Sequence, residues 1–364
     1  MEAHDSTANA RVNSNKSSTY STSVEPRIIG GKAAGAASAV RMLTVDAESA
    51  GQRLDNVLLR ELKGVPKTHI YRVIRSGEVR VNSGRAQADT RVAAGDLIRV
   101  PPMRLAGPST APAAPAREFP VLFEDEQLLA IDKPAGVAVH GGSGVSSGVI
   151  EQLRRSRPQA RYLELVHRLD KETSGVLLLA KKRSALVALQ DQFRARPQEK
   201  TVGKVYAALV FGAWPANLKV LDLALHKTLD SAGERHVRVV SPTHADGRRS
   251  ITLVRVVQAL AACTLLDVTL KTGRTHQIRV HLAHSGHPIV GDPTYGDFAR
   301  NKAFARDRRF NRMFLHARQL AFEHPAGGGR LVLEAPLPPE CRALLSALDA
   351  ADNGDQRDAR HLRP

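Results

Sequence analysis

The sequence predicts an α+β protein of two domains, in which a small basic α/β module precedes a larger domain built on a mixed sheet. A chain of 364 residues is long enough for two domains of ordinary size. Residues 106–118 are rich in proline, which removes backbone donors and favours extended chain, so they are typical of a semi-rigid linker. After this linker, strand-like runs outnumber helical ones, which favours a mixed sheet.

Both ends of the chain lack the periodicity of regular structure. Residues 1–42 mix small polar residues with scattered charge, so burial would not offset the entropy cost of ordering them, and we expect a disordered tail. Residues 350–364 are polar without a visible period, and we expect a flexible C-terminus. The two domains are therefore predicted at residues 43–105 and 119–349.

The small module begins with two helical patterns. Residues 53–62 carry apolar side chains at helical spacing, and residues 66–77 do the same after a proline suited to a first helical turn. In the second pattern Arg72 and Arg75 lie opposite the apolar stripe. Two strand-like runs follow, at residues 78–82 and 96–100.

The charge balance makes a polyanion the default partner. The chain has 53 lysines and arginines against 36 acidic residues, a formal net charge of +17. Residues 51–104 alone carry 11 basic against five acidic residues. Aromatic residues make up only 4%, which argues against a protein that binds single strands by stacking successive bases.

Composition also excludes several classes of protein. No apolar run is long enough to span a membrane and no secretory signal is visible, so we expect a soluble cytoplasmic protein. The two cysteines, Cys263 and Cys341, form no C-x-x-C pair, so they are interpreted as buried thiols in a reducing compartment.

The large module alternates strand-like runs with turns. The helical pattern at residues 184–196 is one of few. The strand-like runs lie at residues 128–136, 162–170, 175–182, 204–212 and 263–271.

Asp170 is the first candidate for chemistry in this module. It ends a strand-like run and enters a turn before an apolar strand, where an aspartate commonly does no more than bond backbone N–H groups. The cations beside it, Arg168 and Lys171, favour its ionised form, which suits a nucleophile or an ion-pair partner.

A helix is predicted from Thr275, as its N-cap, to about Ser285, before a glycine that favours a stop. Arg279 in the first turns of this helix is poorly served by the helix dipole and should have an anionic partner, for which Asp170 is a candidate. The spacing of the four histidines beginning at His276 does not match a zinc helix, so they are interpreted as solvated or backbone-bonded groups.

Two further segments remain ambiguous from their local sequence. Tyr206 lies in an alternating strand, where a tyrosine is usually half-buried packing. The cation-rich residues 302–312 are interpreted as a loop that either contacts phosphates or is simply solvated.

The ordered set of motifs resembles two known families. RLDN at residue 53, PKTHIYRVIRSGEVRVN at 66 and AAGDLIRV at 93 resemble an S4 RNA-binding domain. Behind them, HRLDKETSG at 167, GKVYAALV at 203, GRTHQIRVHLAHSGHPIVGD at 273 and RMFLHA at 312 resemble the RluA-type pseudouridine synthase family. The segment at 247–252 departs from the usual family pattern, which leaves the details of substrate recognition open.

The resemblance implies an isomerase that converts uridines to pseudouridine, and the motifs are most similar to the branch acting on 23S ribosomal RNA. By position, Asp170 is implied as the catalytic aspartate, Tyr206 as the stacking partner of the uracil, and Arg279 as the partner of Asp170. Arg168 would fill the space left by the flipped uridine, and Leu315 would contact the base.

The remaining implied contacts are to RNA. His276 is placed among the substrate-binding residues. In the S4-like module the candidate phosphate contacts are Lys67, Arg72, Arg75 and Arg80. The reaction adds and removes no group, so no cofactor or metal is expected, and we expect a monomer that binds 23S ribosomal RNA and no membrane.

Three alternatives remain at the level of sequence. A sister synthase with a different RNA target would use the same residues. A non-catalytic RNA-binding assembly factor would fit the S4-like module and the charge, although it would not need Asp170, Tyr206 and Arg279 together. A metal-dependent nuclease lacks the clustered carboxylates that two metals require.

Overall fold

The computed structural model describes residues 40–47, 49–62, 64–103, 115–141, 147–195, 202–229, 235–260 and 262–361. Most of the predicted tail at 1–42 and of the linker at 106–118 lies outside these residues. The chain folds into two compact units, the smaller formed mainly by residues 53–90 and 96–108 and the larger mainly by residues 109–364.

The smaller unit contains two helices and a four-stranded antiparallel sheet of order β1-β4-β2-β3. The predicted apolar stripe of the second helix is buried, with Ile70, Val73 and Ile74 each at most 4% exposed, while Arg72 and Arg75 are exposed. Its elements are β1 (Arg41–Thr44), α1 (Leu54–Glu61), α2 (Lys67–Arg75), β2 (Arg80–Val81), β3 (Gly84–Arg85) and β4 (Leu97–Val100).

The larger unit is built on an 11-stranded mixed sheet. Its strands are β5 (Val121–Glu124), β6 (Leu128–Lys133), β7 (Glu164–Leu165), β8 (Ser174–Ala180), β9 (Gly203–Phe211), β10 (Val220–Leu229), β11 (Arg235–Val240), β12 (Arg248–Leu260), β13 (Cys263–Leu270), β14 (Leu315–Glu323) and β15 (Arg330–Glu334). Its helices are α3 (Val149–Ser156), α4 (Arg183–Arg194), α5 (Gln277–His284), α6 (Phe298–Arg308) and α7 (Pro339–His361).

The strand order is β11-β10-β12-β13-β9-β14-β8-β6-β5, with β15 paired to β14 and β7 to β8. Only β14 and β8 pair in parallel among the described strands. The predicted mixed sheet is thus confirmed. Residues on β6 and β8 alternate between two apolar clusters: Leu129 and Leu177 lie in one, and Leu128 and Leu178 in the other. Both faces of the sheet centre are therefore covered.

Four local predictions were wrong. Residues 302–312 form no single loop, because α6 extends to Arg308. The N-cap of α5 is His276 and not Thr275, since the Gln277 side chain accepts hydrogen bonds from Thr272 and the Arg274 N–H and so organises the turn. The run at 162–170 forms a strand only over two residues.

The fourth correction concerns the C-terminus. Residues 350–361 continue α7, whereas we expected no regular structure there. The segment contains no proline, so each of its residues can donate its N–H to the preceding turn, and the helix continues without an apolar period. Across the described residues, no helix combines the length and the apolar character needed to cross a bilayer.

Candidate active site

A cavity of about 380 Å³ in the larger unit collects most of the candidates for chemistry. The loop between β7 and β8, strand β9, the entry to α5 and the start of β14 each contribute to its wall. Its lining includes Arg168, Asp170, Tyr206, His276, Arg279 and Leu315. Segments that are far apart in sequence thus converge as the resemblance implied.

Asp170 lies at the turn before β8. The N–H of Thr173 donates to its backbone carbonyl at 3.1 Å, and its side chain is 29% exposed, so the carboxylate is accessible from the cavity. Lys133, which is fully buried, donates to three carbonyl oxygens, including that of Lys171 next to Asp170 at 3.1 Å. Burial lowers the pKa of Lys133 to about 7, and the three carbonyl oxygens favour its ammonium form.

Arg279 has two carboxylate partners, of which the sequence indicated only one. Its Nε and Nη2 donate to the two oxygens of Asp292, each at 2.7 Å, while Nη1 lies 3.4 Å from Oδ2 of Asp170. Asp292 also accepts the N–H groups of Thr294 and Tyr295, at 2.8 and 3.0 Å. Arg279 is therefore held by Asp292 and points its remaining nitrogen at Asp170.

The two charges of this buried pair stabilise each other. Burial is the largest single influence and raises the pKa of Asp292, but the hydrogen bonds and charge of Arg279, together with two backbone N–H groups, outweigh it and hold this pKa below its usual value. Burial likewise opposes the charge of Arg279, but the hydrogen bonds to Asp292 and the charges of Asp292 and Asp170 together reverse that effect and raise the pKa of Arg279. The guanidinium also lies over the Tyr295 ring at 4.9 Å from its centroid.

His276 occupies a left-handed backbone conformation, with φ +52°, which is costly for a residue that has a side chain. Burial lowers its pKa, with Asp170 acting in the opposite direction, so the ring is neutral at neutral pH. The Tyr295 oxygen accepts the N–H of Val237 at 3.1 Å and shares a hydrogen bond of 2.8 Å with Nδ1 of His276. The other ring nitrogen of His276, Nε2, lies 3.9 Å from Oδ1 of Asp170.

Tyr206 and Leu315 form the apolar part of the wall. Tyr206 is 9% exposed on β9, where it pairs with Ala317 of β14, and Leu315 is 3% exposed on β14. Burial, and secondarily Asp170, raises the pKa of Tyr206 far above its usual value, so its hydroxyl stays protonated. The pair can hold a flat apolar ring beside the Asp170 carboxylate.

Polar residues that the sequence did not single out also line the cavity. They include His140, Lys204, Arg274 and Gln277. Asp292 was missed as well, because its partner comes from another element. The available signal was the sequence GDPTYG directly after the buried residues Ile289 and Val290.

A metal could be held by one group among the described residues. His226, His244 and Asp246 bring ligand atoms within 4.8 Å of one another, but none of the three lines the cavity. The predicted absence of a metal in the reaction stays a prediction. Of the histidines on α5, His281 is fully buried with no hydrogen-bond partner among the described residues, contrary to the expected solvated or backbone-bonded state.

Comparison with known proteins identifies the family. The RNA pseudouridylate synthase model matches residues 127–284, and the S4 domain model matches residues 52–98. A Pasteurella multocida protein named ribosomal large subunit pseudouridine synthase C is 49% identical over 85% of this chain and 94% of its own length. The chain belongs to the RNA pseudouridylate synthase family.

Other relatives agree with this family membership. A protein of the same name from Escherichia coli K12 is 46% identical over 85% of this chain and 97% of its own length. Among solved structures, human RNA pseudouridylate synthase domain containing 4 is 27% identical, with a TM-score of 0.51, over 63% of this chain and 93% of its own. The predicted enzyme class, an RNA pseudouridine synthase with an N-terminal S4 domain, is thus confirmed.

The residues predicted to contact phosphates lie in the smaller unit, where the S4 model matches. Lys67, Arg72 and Arg75 are exposed on α2, and Arg80 is half-buried on β2. Arg72 bonds its own helix neighbour, with Nη2 at 3.0 Å from Nε2 of His69. No comparison tests these contacts, so they stay predictions.

Proposed function

We propose that this synthase converts specific uridines of 23S ribosomal RNA to pseudouridine, as a monomer in the cytoplasm. One observation carries the catalytic part of the proposal: Asp170, Tyr206 and Arg279 line one cavity, where a carboxylate faces both a buried aromatic ring and a buried cation. The choice of RNA is supported by the names of relatives that are 49% and 46% identical over most of their length.

The reaction begins with extrusion of the uridine from its helix. Unstacking costs a few kcal/mol, which stacking against Tyr206 and contact with Leu315 offset. Arg168 is exposed at the cavity and has the reach to fill the space that the uridine leaves. These residues bind and orient the base without changing its bonds.

Asp170 then promotes cleavage of the glycosidic bond. Its carboxylate either attacks C1′ of the sugar or removes a sugar proton, and both routes require the ionised form. The positive charge of Arg279 lies 3.4 Å from that carboxylate. His276, whose Nε2 lies 3.9 Å from Oδ1 of Asp170, is placed to contact the uracil as the base rotates.

In the last step C5 bonds to C1′, which breaks the ester bond to Asp170 on the first route or follows return of the proton to the sugar on the second. C5 then loses its proton and N1, no longer bonded to the sugar, carries one. Tyr206 is poorly suited to accept this proton, because burial raises its pKa and keeps the phenol protonated. We therefore assign proton removal to a water molecule and keep Tyr206 as the stacking partner. No step requires a cofactor.

Mapping pseudouridines in ribosomal and transfer RNA from cells lacking this protein tests the proposal. We expect specific sites in 23S RNA to be lost and to be restored by the wild type, but not by Asp170→Asn. A matched control is Asp222→Asn, which removes the charge of an exposed carboxylate that forms a salt bridge with exposed Arg249. Loss of sites in transfer RNA instead would indicate a sister synthase, and loss of none would contradict a catalytic role.

A further inference from the structure

The smaller unit contains a second cavity, of about 490 Å³, that lies outside the catalytic machinery. It is enclosed by α2 and by the chain that follows β3. Its lining consists of Tyr71, Ile74, Arg75, Arg85, Ala86, Gln87 and Ala88. Its volume falls within the range of about 300–1,000 Å³ that is usual for small-ligand sites.

One wall of this cavity is an aromatic ring held in place by hydrogen bonds. The Tyr71 hydroxyl donates to Oδ2 of Asp55 at 3.0 Å, and Asp55 is 2% exposed. Asp55 is itself fixed by Arg53, at 3.1 and 2.7 Å, and by the N–H of Asn56 at 2.8 Å. Tyr71 is nevertheless 36% exposed as a residue, so its ring is oriented without being buried in the core.

The rest of the cavity is apolar below and cationic at its rim. Ile74, which is 4% exposed, and the half-buried methyl groups of Ala86 and Ala88 form the floor. The exposed guanidinium groups of Arg75 and Arg85 supply positive charge, and Arg85 is oriented by a 3.1 Å hydrogen bond to the Ser76 carbonyl. None of the described residues that line the cavity is acidic.

We propose that this cavity, the Tyr71 cavity, binds one unpaired nucleotide of the RNA substrate, with its base stacked on the Tyr71 ring and its phosphates on Arg75 and Arg85. A fixed, half-exposed ring offers a face to a flat base. Two cations beside an apolar floor match a ligand that joins a flat base to an anionic backbone. A surface that bound only phosphate groups would need the two cations but not the exposed Tyr71 ring.

This assignment rests on the proposed RNA substrate and adds a contact to a base. The S4 unit would then recognise a bulge or loop near the target and not a uniform duplex, because only an unpaired base can reach the ring. One stacking contact is also consistent with an aromatic content of 4%, which is too low for a platform of several bases.

The test measures the affinity of the full-length protein for a short RNA duplex with and without one bulged nucleotide. Wild type is expected to prefer the bulged duplex. Tyr71→Ala should weaken binding to the bulged duplex by about 10- to 100-fold, with the salt dependence unchanged, since stacking releases no counterions. Arg85→Gln should instead lower the slope of log affinity against log salt by about one contact.

Two variants separate stacking from a structural role. Tyr71→Phe loses the hydrogen bond to Asp55 but keeps the ring, so it should bind within about twofold of wild type if the ring face is what matters. Leu97→Ala, which shortens another exposed apolar side chain of the same unit, 45% exposed on β4, should leave affinity unaltered. Equal losses for Tyr71→Phe and Tyr71→Ala, or no loss for Tyr71→Ala, would overturn the proposal.

A direct readout is available from Tyr71→Trp. Its fluorescence should be quenched when the bulged duplex binds, after subtraction of the wild-type signal from buried Trp214. Absence of quenching at saturation would contradict stacking. The proposed function can fail separately from this inference. Formation of pseudouridine is measured in 23S RNA, whereas the preference for a bulged duplex and its loss in Tyr71→Ala are measured by binding alone.

Discussion

Asp292 determines where Arg279 can point. A buried arginine with a single distant carboxylate would have several rotamers available, whereas two parallel hydrogen bonds of 2.7 Å fix the plane of the guanidinium. The third nitrogen is thereby presented to Asp170 at 3.4 Å. We infer that Asp292 is a positioning residue, since it acts on Asp170 only through Arg279.

Asp292→Asn should lower both stability and activity. The amide keeps the shape of the side chain but removes its charge. Arg279 then stays buried with a weaker partner at position 292. Breaking a buried pair in this way costs about 3–5 kcal/mol, and displacement of Arg279 should lower kcat about 10- to 100-fold. Urea unfolding and tritium release from RNA labelled at uracil C5 measure the two effects. An unchanged kcat would contradict the positioning role, and Asp222→Asn provides the exposed-pair control, expected to change stability by less than about 1 kcal/mol.

At the scale of elements, the contact between β8 and β14 sets the position of the turn that contains Asp170. Gly175 has φ +110° and pairs with Ala317, and a Cβ at Gly175 would overlap the Ala317 backbone. This turn ends one residue before Gly175, at the start of β8. Only glycine allows β8 to approach β14 closely enough to pair there.

Gly175→Ala should therefore lower the free energy of unfolding far more than an alanine substitution at a glycine where the added Cβ contacts nothing. We expect a loss of about 3–5 kcal/mol in the free energy of unfolding, because the backbone of a central strand has to move. Gly136 is the matched control: it also has positive φ, at +79°, but a Cβ there meets nothing within 4 Å, so Gly136→Ala should cost about 1–2 kcal/mol. Equal losses in chemical denaturation would contradict the close-approach argument.

Helix α2 is the element predicted to dock RNA. Replacing Arg72 and Arg75 together with glutamine should weaken RNA binding and reduce the slope of log affinity against log salt by up to two contacts. Arg60→Gln is the control within the same unit, because Arg60 already pairs with Glu61 at 3.0 Å and is not among the predicted phosphate contacts. A salt slope that does not change in the double variant would place the RNA on another surface.

Across the whole molecule, buried neutral histidines link stability to pH. Burial lowers the pKa of His281 and of His316 to about 4, against an ordinary value of 6.5. His316 is held by Ser174 at 2.9 Å and by the Ala335 carbonyl at 3.1 Å, whereas His281 has no hydrogen-bond partner among the described residues. Because the folded pKa is the lower one, the stability contribution is complete above pH 6.5 and is lost as pH falls towards 4.

His281→Leu should make this loss shallower. In the variant, the unfolded chain has one fewer group that binds a proton below pH 6.5. Between pH 7 and pH 5 its free energy of unfolding should therefore fall by about 2 kcal/mol less than that of the wild type. Urea midpoints at the two pH values measure the effect. An identical pH dependence in variant and wild type would mean that His281 titrates in the folded protein as it does when unfolded.

How much the sequence could predict depends on the range of the interactions. The apolar stripe of α2, the strand of Tyr206 and the site set of Asp170, Tyr206 and Arg279 follow from local patterns and family motifs. Asp292 does not, because its role depends on a partner 13 residues away in another element. The extent of α6 and of α7 was missed because exposed, charged helices show no strong apolar period.

The basic residues of the chain fall into two groups with different proposed roles, one in each unit. Basic residues of the S4 unit, on α2 and its neighbours, are available for docking RNA, while Arg279 is buried and Arg168 lies at the cavity, where each has a separate proposed role in the reaction. Together with Asp170, Arg168 and Arg279 are proposed to act in the reaction itself.

Release of tritium from a 23S ribosomal RNA transcript labelled at uracil C5 tests that claim most directly. Wild type should release tritium, because the C5 proton is lost when C5 bonds to C1′. Asp170→Asn should release none while binding the transcript within several-fold of wild-type affinity, since the RNA-docking residues are unchanged. Release by Asp170→Asn at the wild-type rate would contradict the assignment of Asp170 as the catalytic residue.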